Sequence, residues 1–297
     1  MDRFDAMRAA LAAADAGSLS AAARRLNTPL PTISRQVAEL EARLGAQIFT
    51  RSARGLSLTD AGRDYIAAAR RILEEVAEAE RAAGGAYAAP QGALAVSAPL
   101  VFGRLHIAPV TAAFLEVYPL ISVRLDLSDR FIDFEDDGVD AAVRIGALVD
   151  STLIGMKLGE TRLIVCASPA YLAARGAPAR PADVASHACV GFSRLDAPGV
   201  WTFSSGETIA LKPRFSVNTA EAALDAAIAG VGLTRVFCYQ ANAALADGRL
   251  VEVLREHAPA PAPITLLHPA RARTPTKLRA FLSYVAPRVR ARLSNSG

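Results

Sequence analysis

The sequence predicts a mainly helical N-terminal domain joined by a long helix to a larger α/β domain. Three observations support this fold class. Residues 1–59 carry apolar stripes at helical spacing followed by two short strand-like runs, residues 60–84 form one long amphipathic pattern, and strands alternate with helices from residue 93. The chain therefore divides into residues 1–59, a linker helix over 60–84, a Gly- and Ala-rich hinge over 85–92, and residues 93–297.

The composition is that of a globular protein. Of the 297 residues, 52% are hydrophobic and 21% charged, enough apolar material for two or three domains, and the net charge of +4 permits a polyanionic partner without demonstrating one. Cys166, Cys189 and Cys238 lie in apolar runs, which favours buried thiols, with a redox-sensing thiol as the alternative. The N-terminus lacks a signal-peptide pattern and no apolar stretch is expected to span a bilayer. We therefore expect a cytoplasmic protein with no membrane partner.

Two helices are predicted before residue 28. Phe4, Met7 and Leu11 recur at helical spacing in the first, and Gly17 ends it. Ser18 is a suitable N-cap for a second, short helix over LSAAARRLN, whose alanines allow another helix to approach closely.

A third helix is predicted to begin in the segment TPLPT. Thr28 is expected to cap it, with Pro29 at the first helical position and Pro31 within the first turn, where amides have no intrahelical partner. Gly45 is expected to close it. The predicted core-facing stripe comprises Ile33, Val37, Leu40 and Leu44.

The opposite face of this third helix carries hydroxyls, an amide and a cation. Arg binds guanine with two hydrogen bonds, Gln binds adenine, and Thr or Ser can contact a phosphate or a thymine methyl. A short helix, a tight turn and a second helix with such a surface form a helix-turn-helix, which presents a recognition helix to the major groove. The alternative is an ordinary solvated helix face. The candidate DNA-contacting residues here are Pro31, Thr32, Ser34, Arg35 and Gln36.

A β-hairpin is predicted directly after the helix-turn-helix. The segment QIFTRSARGLSLT contains two strand-like runs around residues 54–55. A hairpin in this position is a wing, and its tip would carry Arg51 and Arg54. We expect these arginines to contact the phosphate backbone or the minor groove and so to position the recognition helix.

Four consecutive elements occur in a specific order and spacing: AGSLSAAARRLN, PTISRQVAELEARLG, IFTRSARGLSLTDAG and the long helix that follows. Residues 1–65 thereby closely resemble the winged helix-turn-helix of the LysR-type transcriptional regulators, and a weaker resemblance extends through the rest of the chain. It implies a sequence-specific regulator of transcription whose partner is a double-stranded DNA operator. The family commonly has serine and then glutamine before the proline of the recognition helix. Pro29 and Leu30 stand there in this chain, so base preference at that end is expected to differ.

The long helix DAGRDYIAAARRILEEVAEAERAA is predicted to be capped by Thr59 or Asp60, and Asp60 is well placed for the helix dipole. Its apolar residues fall close to heptad spacing, so this stripe needs a cover, either the chain's own domain or a second copy. The resemblance implies an antiparallel dimer through this helix, in a homodimer or homotetramer, and RNA polymerase is a further candidate partner. The predicted dimerisation residues are Tyr65, Ile66, Ile72, Leu73 and Val76.

The βαβ alternation after residue 93 predicts an open α/β sheet, and about two hundred residues suffice for two lobes. The resemblance implies a two-lobed, periplasmic-binding-protein-like (type 2) effector domain, with lobe I about 93–162 and 267–297 and lobe II about 163–266. The chain would cross between the lobes near residues 162–164 and return near 263–267. The last helix would pack on lobe I.

A cleft between two such lobes is a small-molecule site, and helix N-termini are suited to polar groups of a ligand. Ser97 precedes a helix start at Pro99 and Leu100, and Asn218 with Thr219 plays the corresponding part in the second lobe. The alternative is that both are plain N-caps. Each of these five residues is a candidate effector contact.

Arg144, at the end of a strand, is the candidate cation of the cleft. Its alternative is an ion pair with a nearby carboxylate, and the candidates are Glu135, Asp136, Asp137 and Asp140. Phe203 completes the candidate effector-binding set. Together with Trp201 it would either line the pocket or pack in the core.

The sequence shows no catalytic or metal-binding constellation. The four histidines stand without cysteine or carboxylate neighbours at metal spacing, and no nucleophile elbow, phosphate loop or dinucleotide fingerprint occurs. We therefore expect no enzyme, no cofactor and no metal. Two alternatives stay open: an α/β half that acts catalytically on its ligand, and a repressor without effector whose second half only oligomerises.

Overall fold

The computed structural model describes residues 2–52, 55–83, 89–130, 133–134, 137–147, 152–193, 199–270 and 274–294. These form two compact units. The first, which we call the head, spans Met1–Gly92, and the second, the C-terminal unit, begins at Ala93. The predicted hinge lies partly outside the described residues, and Gly92 already belongs to a strand.

The head contains helices α1 (Arg3–Ala16), α2 (Leu19–Arg25), α3 (Leu30–Leu44) and α4 (Asp60–Ala83) and strands β1 (Phe49–Ser52) and β2 (Gly55–Leu58). Two predicted helix ends are confirmed. Gly17 ends α1 in the left-handed conformation, with φ 63°. At the start of α2, the Ser18 Oγ accepts a hydrogen bond from the amide of Ala21 at 3.1 Å.

The start of α3 differs from the prediction by one residue. Pro29 is the N-cap, and α3 begins at Leu30. Thr28 does not cap the helix, because its hydroxyl donates to the carbonyl of Leu26 at 3.0 Å. The amide of Thr32 instead donates to the Pro29 carbonyl at 3.0 Å. As predicted, Pro31 lies within the first turn and does not break the helix.

An apolar cluster joins α1, α2 and α3 to the hairpin and α4. Ile33, Val37 and Leu40 are buried in it, as predicted for the inner stripe of α3. Leu44 was predicted as the fourth member, but its side chain is 42% exposed. On this helix the head's apolar cluster, as formed by the described residues, ends at Leu40 and does not include Leu44.

The predicted hairpin is confirmed, with Arg51 opposite Leu56 and Ser52 opposite Gly55. Its backbone is fastened to the helices, because the Leu56 amide donates to the Gly17 carbonyl at 3.1 Å. Arg54, predicted at the tip, lies outside the described residues.

Thr59 connects the hairpin to the long helix. Its hydroxyl donates to the Gln47 carbonyl at 2.6 Å and accepts from the Gly62 amide at 2.8 Å. Of the two predicted caps of α4, the side chain of Thr59 therefore satisfies a free amide of the first turn. Asp60 is the first helical residue, where its charge suits the positive end of the helix dipole.

The C-terminal unit begins with a first lobe that contains β3 (Gly92–Ala98), α5 (Leu100–Phe102), a π-helical turn (Gly103–Ile107), α6 (Ala108–Val117), β4 (Ile121–Leu127), β5 (Ala141–Ile145) and β6 (Leu153–Thr161). Strand β6 was not predicted.

The helical run Leu100–Val117 is long and apolar enough to cross a membrane by length and composition alone, contrary to the expectation from the sequence. Phe102, Ile107 and Phe114 are buried in the first lobe's core, so it is a core helix.

The second lobe contains β7 (Leu163–Ala167), α7 (Pro169–Arg175), a 3-10 turn (Pro181–Ser186), β8 (Cys189–Phe192), β9 (Val200–Thr202), β10 (Thr208–Ala210), β11 (Phe215–Val217), α8 (Ala220–Ile228), β12 (Leu233–Phe237), α9 (Cys238–Ala246) and β13 (Val251–Val253). Strands β9 and β10 form an antiparallel hairpin. Strands β8 and β13 and helix α9 were not predicted.

The chain then returns to the first lobe through β14 (Ala262–Pro269) and α10 (Thr276–Ser294). Each lobe has a mixed five-stranded sheet, in the orders β4-β3-β5-β14-β6 and β11-β8-β12-β7-β13. The first crossing falls between Thr161 and Leu163, within the predicted range. The second precedes Ala262, so residues 263–267 lie inside β14 and the predicted return is several residues late. α10 packs on the first lobe, with the Phe281 and Phe114 ring centroids 5.3 Å apart.

Candidate nucleic-acid interface and effector site

Helix α3 presents a polar face on the surface of the head. The side chain of Arg35 is 70% exposed, and its Nε lies 3.8 Å from a carboxylate oxygen of Glu39 one turn later. An exposed pair of this kind is weak, so the guanidinium is available to a partner. Thr32, Ser34 and Gln36 are half-buried on the same helix. The arrangement fits the geometry of a recognition helix.

The first turn of α3 adds an apolar surface to this face. Pro29, Leu30 and Pro31 are all exposed, and Leu30 is 42% exposed. Leu30 was not among the candidate DNA-contacting residues. The sequence feature that could have identified Leu30 is an apolar side chain at the start of a helix, where the face is expected to be exposed to solvent.

The predicted dimerisation stripe of α4 divides into two parts. Ile66 is only 6% exposed within the head and belongs to its apolar cluster, so it serves the head's own core rather than a partner helix. Tyr65 is half-buried against the same cluster, and burial raises the pKa of its hydroxyl. Further along the helix, Ile72 is exposed, and Leu73 and Val76 are half-buried.

In the C-terminal unit, Ser97 lies at the end of β3 and is fully buried. Its Oγ has no hydrogen-bond partner among the residues that the structure describes. A buried hydroxyl without a partner costs free energy unless a ligand or water satisfies it. The adjacent Leu100 amide was predicted to be free for a ligand, but it donates to Asp129 Oδ1 at 3.1 Å. The amide of the first helical residue, which follows the N-cap Pro99, is therefore already hydrogen-bonded to a carboxylate of the same chain.

The candidates in the second lobe are placed differently. Thr219 is the N-cap of α8, and its Oγ1 accepts from the Ala222 amide at 3.3 Å, which supports the plain N-cap interpretation. Asn218 beside it is exposed. Phe203 is buried with Trp201 in an apolar cluster of the second lobe, because the hairpin that carries them packs its apolar side inward. Of the two interpretations of Phe203, the structure therefore supports packing in the core over lining of the effector pocket.

Arg144 lies on β5 and is half-buried, and its Nη1 donates to the Val143 carbonyl at 2.8 Å. Among the carboxylates considered as partners, Asp140 accepts from the Ala95 amide at 3.0 Å. Glu135 and Asp136 lie outside the described residues. An effector contact by Arg144 stays a prediction.

Aromatic residues that the sequence analysis did not identify as site residues lie in contact between the two lobes. Tyr239, at the start of α9, packs against the apolar clusters of both lobes. Its ring centroid is 5.5 Å from that of Phe102 and 6.0 Å from that of His106. Burial, followed by the negative charge of Asp129, raises the pKa of Tyr239, so its hydroxyl stays protonated. Burial, followed by the positive charge of Arg292, lowers the pKa of His106.

Comparisons with known proteins agree with this geometry. Residues 4–63 match the bacterial regulatory helix-turn-helix model of the lysR family, and residues 88–290 match the LysR substrate binding domain. The probable HTH-type transcriptional regulator LtrA of Klebsiella pneumoniae is 34% identical over 283 residues, which cover 93% of this chain and 92% of LtrA. The solved structure of CrgA, a LysR-type regulator from Neisseria meningitidis, is 30% identical, with a TM-score of 0.61 over 97% of this chain and 99% of CrgA. The full-length Vibrio cholerae virulence activator AphB is 28% identical, with a TM-score of 0.60 over 96% of this chain and 98% of AphB.

A winged head with an exposed recognition helix, joined to a two-lobed ligand-binding domain, defines a DNA-binding regulator of transcription whose operator binding responds to a small molecule. The chain belongs to the LysR family of bacterial transcriptional regulators. The relatives named above are regulators of transcription.

Proposed function

We propose that α3 reads the operator in the major groove through Pro31, Thr32, Ser34, Arg35 and Gln36. The wing residues Arg51 and Arg54 would contact the phosphate backbone and so position the helix. The observation that supports this proposal most is the 70% exposure of the Arg35 side chain, whose ion pair with Glu39 is solvated and weak. Because the operator is bacterial DNA, the protein would act in the cytoplasm.

Arg35→Ala tests the assignment of α3. A bidentate contact to guanine accounts for about 1–3 kcal/mol of discrimination, so affinity for a duplex selected from a randomised library should fall by roughly 5- to 150-fold. Affinity for random DNA should change little. The measurement is a titration of both duplexes with full-length protein at one salt concentration, since phosphate contacts depend strongly on salt.

Arg43→Ala is the matched control, because Arg43 is an exposed arginine in the last turn of the same helix. It removes the same charge at the end of α3 far from the proposed contact, and it should leave the selected duplex's affinity nearly unchanged. An equal loss on selected and random DNA with Arg35→Ala would instead assign Arg35 to a phosphate.

The pairing of two heads would run through the second part of α4. Ile72, Leu73 and Val76 retain exposed apolar surface in the single chain, as a stripe that a second copy covers would do. Two antiparallel copies of the helix would place two recognition helices on two half-sites. A tetramer would need further contacts between C-terminal units.

The effector site would lie between the lobes, with Ser97 at its base and Asp129 and Tyr239 beside it. The support is the buried Ser97 Oγ, which has no described partner and lies three residues before Leu100, whose amide donates to Asp129. Arg144, Asn218 and Thr219 stay candidates for the opposite contacts. A ligand would shift operator binding only if it favours one arrangement of the lobes over another.

Ser97→Ala should leave the free energy of unfolding unchanged or slightly raised, because the Ser97 hydroxyl makes no hydrogen bond with the described residues. Ser168→Ala is the matched control. Ser168 is also buried, but its Oγ accepts from the Tyr171 amide at 3.3 Å as the N-cap of α7, and its loss should cost about 1 kcal/mol. Denaturant unfolding measures both, and calorimetry with small-metabolite pools measures ligand binding, which Ser97→Ala should weaken. A loss of stability at Ser97 as large as at Ser168 would contradict the assignment.

A further inference from the structure

The N-terminal turn of α3 offers an apolar side chain where a base-reading helix would offer hydrogen-bonding groups. Leu30, the first residue of α3, is 42% exposed, and Leu26, just before the turn, is 36% exposed. An exposed leucine leaves apolar area in water that a partner can cover. Because single exposed apolar residues are common, the position of Leu30 has to decide whether it has a role.

Leu30 lies on the proposed reading surface. It is four residues before Ser34, so the two side chains lie one above the other on the same side of α3. Arg35 follows on the adjoining exposed face. A helix that inserts its N-terminal end into the major groove brings its first residues against the base edges.

Several polar groups near Leu30 are already engaged or missing. The Thr28 hydroxyl donates to the Leu26 carbonyl at 3.0 Å, and the Thr32 and Ile33 amides donate to the Pro29 carbonyl at 3.0 and 3.2 Å. Pro29 and Pro31 have no N–H. At Leu30 itself, the surface that this turn presents is therefore apolar, and the hydroxyl of Thr32 follows two residues later. The one apolar group that a base pair presents in the major groove is the C5-methyl of thymine.

We propose that Leu30 is a specificity-determining residue that reads the C5-methyl group of one thymine in each operator half-site. The inference rests on the proposed placement of α3 in the major groove and adds to it the identity of one base. Leu30 selects thymine by covering its methyl group and makes no hydrogen bond to the base. The other bases are left to Thr32, Ser34, Arg35 and Gln36.

Removal of the methyl group alone tests this. Full-length protein selects a duplex from a randomised library, and each thymine of that duplex is then replaced singly by deoxyuridine, which lacks only the C5-methyl. One methyl group buried against Leu30 is equivalent to about a fourfold change in affinity. We expect one thymine per half-site at which deoxyuridine weakens wild-type binding about fourfold, and about 15-fold when both half-sites are replaced.

Leu30→Ala should bind the thymine duplex about fourfold more weakly per half-site and should no longer distinguish thymine from deoxyuridine at that position. Leu30→Met, which retains a long apolar side chain, should keep the distinction. Leu44→Ala is the matched control: Leu44 is also 42% exposed and on the same helix, but at the opposite end. It should bind both duplexes as the wild type does.

The two levels of the inference fail differently. If no sequence is enriched from the library, the proposed function itself is wrong. If a sequence is enriched but deoxyuridine is tolerated at every thymine, or if Leu30→Ala retains the thymine preference, the role of Leu30 is wrong and the placement of α3 is unaffected.

Discussion

Protein carrying Gly62→Ala should lose about 3 kcal/mol of the head's free energy of unfolding, and with it most of its operator binding. Gly62 lies in the first turn of α4, where its amide donates to the Thr59 hydroxyl at 2.8 Å. A Cβ at this position would lie 2.0 Å from the carbonyl oxygen of Ile48 and 2.8 Å from its carbonyl carbon. Both are backbone atoms, so no rotamer change can relieve the clash. The backbone at Ile48, directly before β1, and the first turn of α4 must therefore move apart. The β1–β2 hairpin would be displaced as a result.

Two spectroscopic signals can show that Gly62→Ala destabilises the head and not the C-terminal unit. Its single tryptophan, Trp201, lies in the second lobe of the C-terminal unit, so tryptophan fluorescence follows that lobe, whereas circular dichroism follows the whole chain. With Gly62→Ala, part of the dichroism transition should move to lower denaturant while the fluorescence transition stays in place.

Ala67→Gly serves as the control for Gly62→Ala, because Ala67 is exposed on the same helix and the change should cost only about 1 kcal/mol. If Gly62→Ala protein unfolded and bound DNA like the wild type, the packing of α4 against the hairpin would be wrong.

Trp201→Ala should destabilise the second lobe by about 3–5 kcal/mol. Trp201 is fully buried in an apolar cluster that also contains Tyr171, Val184 and Phe203. The guanidinium of Arg235, itself a buried residue, lies 5.3 Å from the centre of the Trp201 ring and donates to the carbonyl of Thr202 at 3.3 Å. Truncation of Trp201 would leave a cavity and would also remove the ring that faces a buried cation.

Urea unfolding followed by circular dichroism measures this loss, since the fluorescent residue is absent from the variant. Phe215→Ala is the control, because Phe215 is an aromatic residue on β11 of the same lobe but is exposed, and its loss should change stability by no more than about 0.5 kcal/mol. Equal stabilities of the two variants would mean that the β9–β10 hairpin is not part of the core. The assignment of Phe203 to the effector pocket would then return.

Local chemistry in the sequence was sufficient for much of the head. Gly17 and Ser18 give the ends of two helices because a left-handed glycine and a capping hydroxyl act within a few residues of the chain. The hairpin and the apolar stripe of α3 could be predicted for the same reason. Thr28 was misassigned because its hydroxyl can either accept from an amide of α3 as an N-cap or donate to a carbonyl of the preceding turn, and the choice depends on how the turn folds back on α2.

The remaining errors come from long-range packing, which periodicity does not encode. Ile66 and Ile72 fall on the same stripe of α4, yet one is buried by the head's own helices and the other is exposed. The same limit applies to Phe203, which is buried because the hairpin folds onto its own lobe, and to Leu100, whose amide is taken by Asp129 from a distant loop. The two-lobed fold itself was predicted chiefly from family resemblance. Strands β6, β8 and β13 lack a local signal that distinguishes them from loops.

The central claim is that α3 enters the major groove. Methylation interference with dimethyl sulfate on the selected duplex tests it most directly, because methyl groups appear on guanine N7 in the major groove and on adenine N3 in the minor groove. We expect N7 methylation of guanines within each half-site to block binding by full-length protein, with the interference lost at one guanine in Arg35→Ala. Interference confined to adenine N3, or absent from both grooves, would contradict the account.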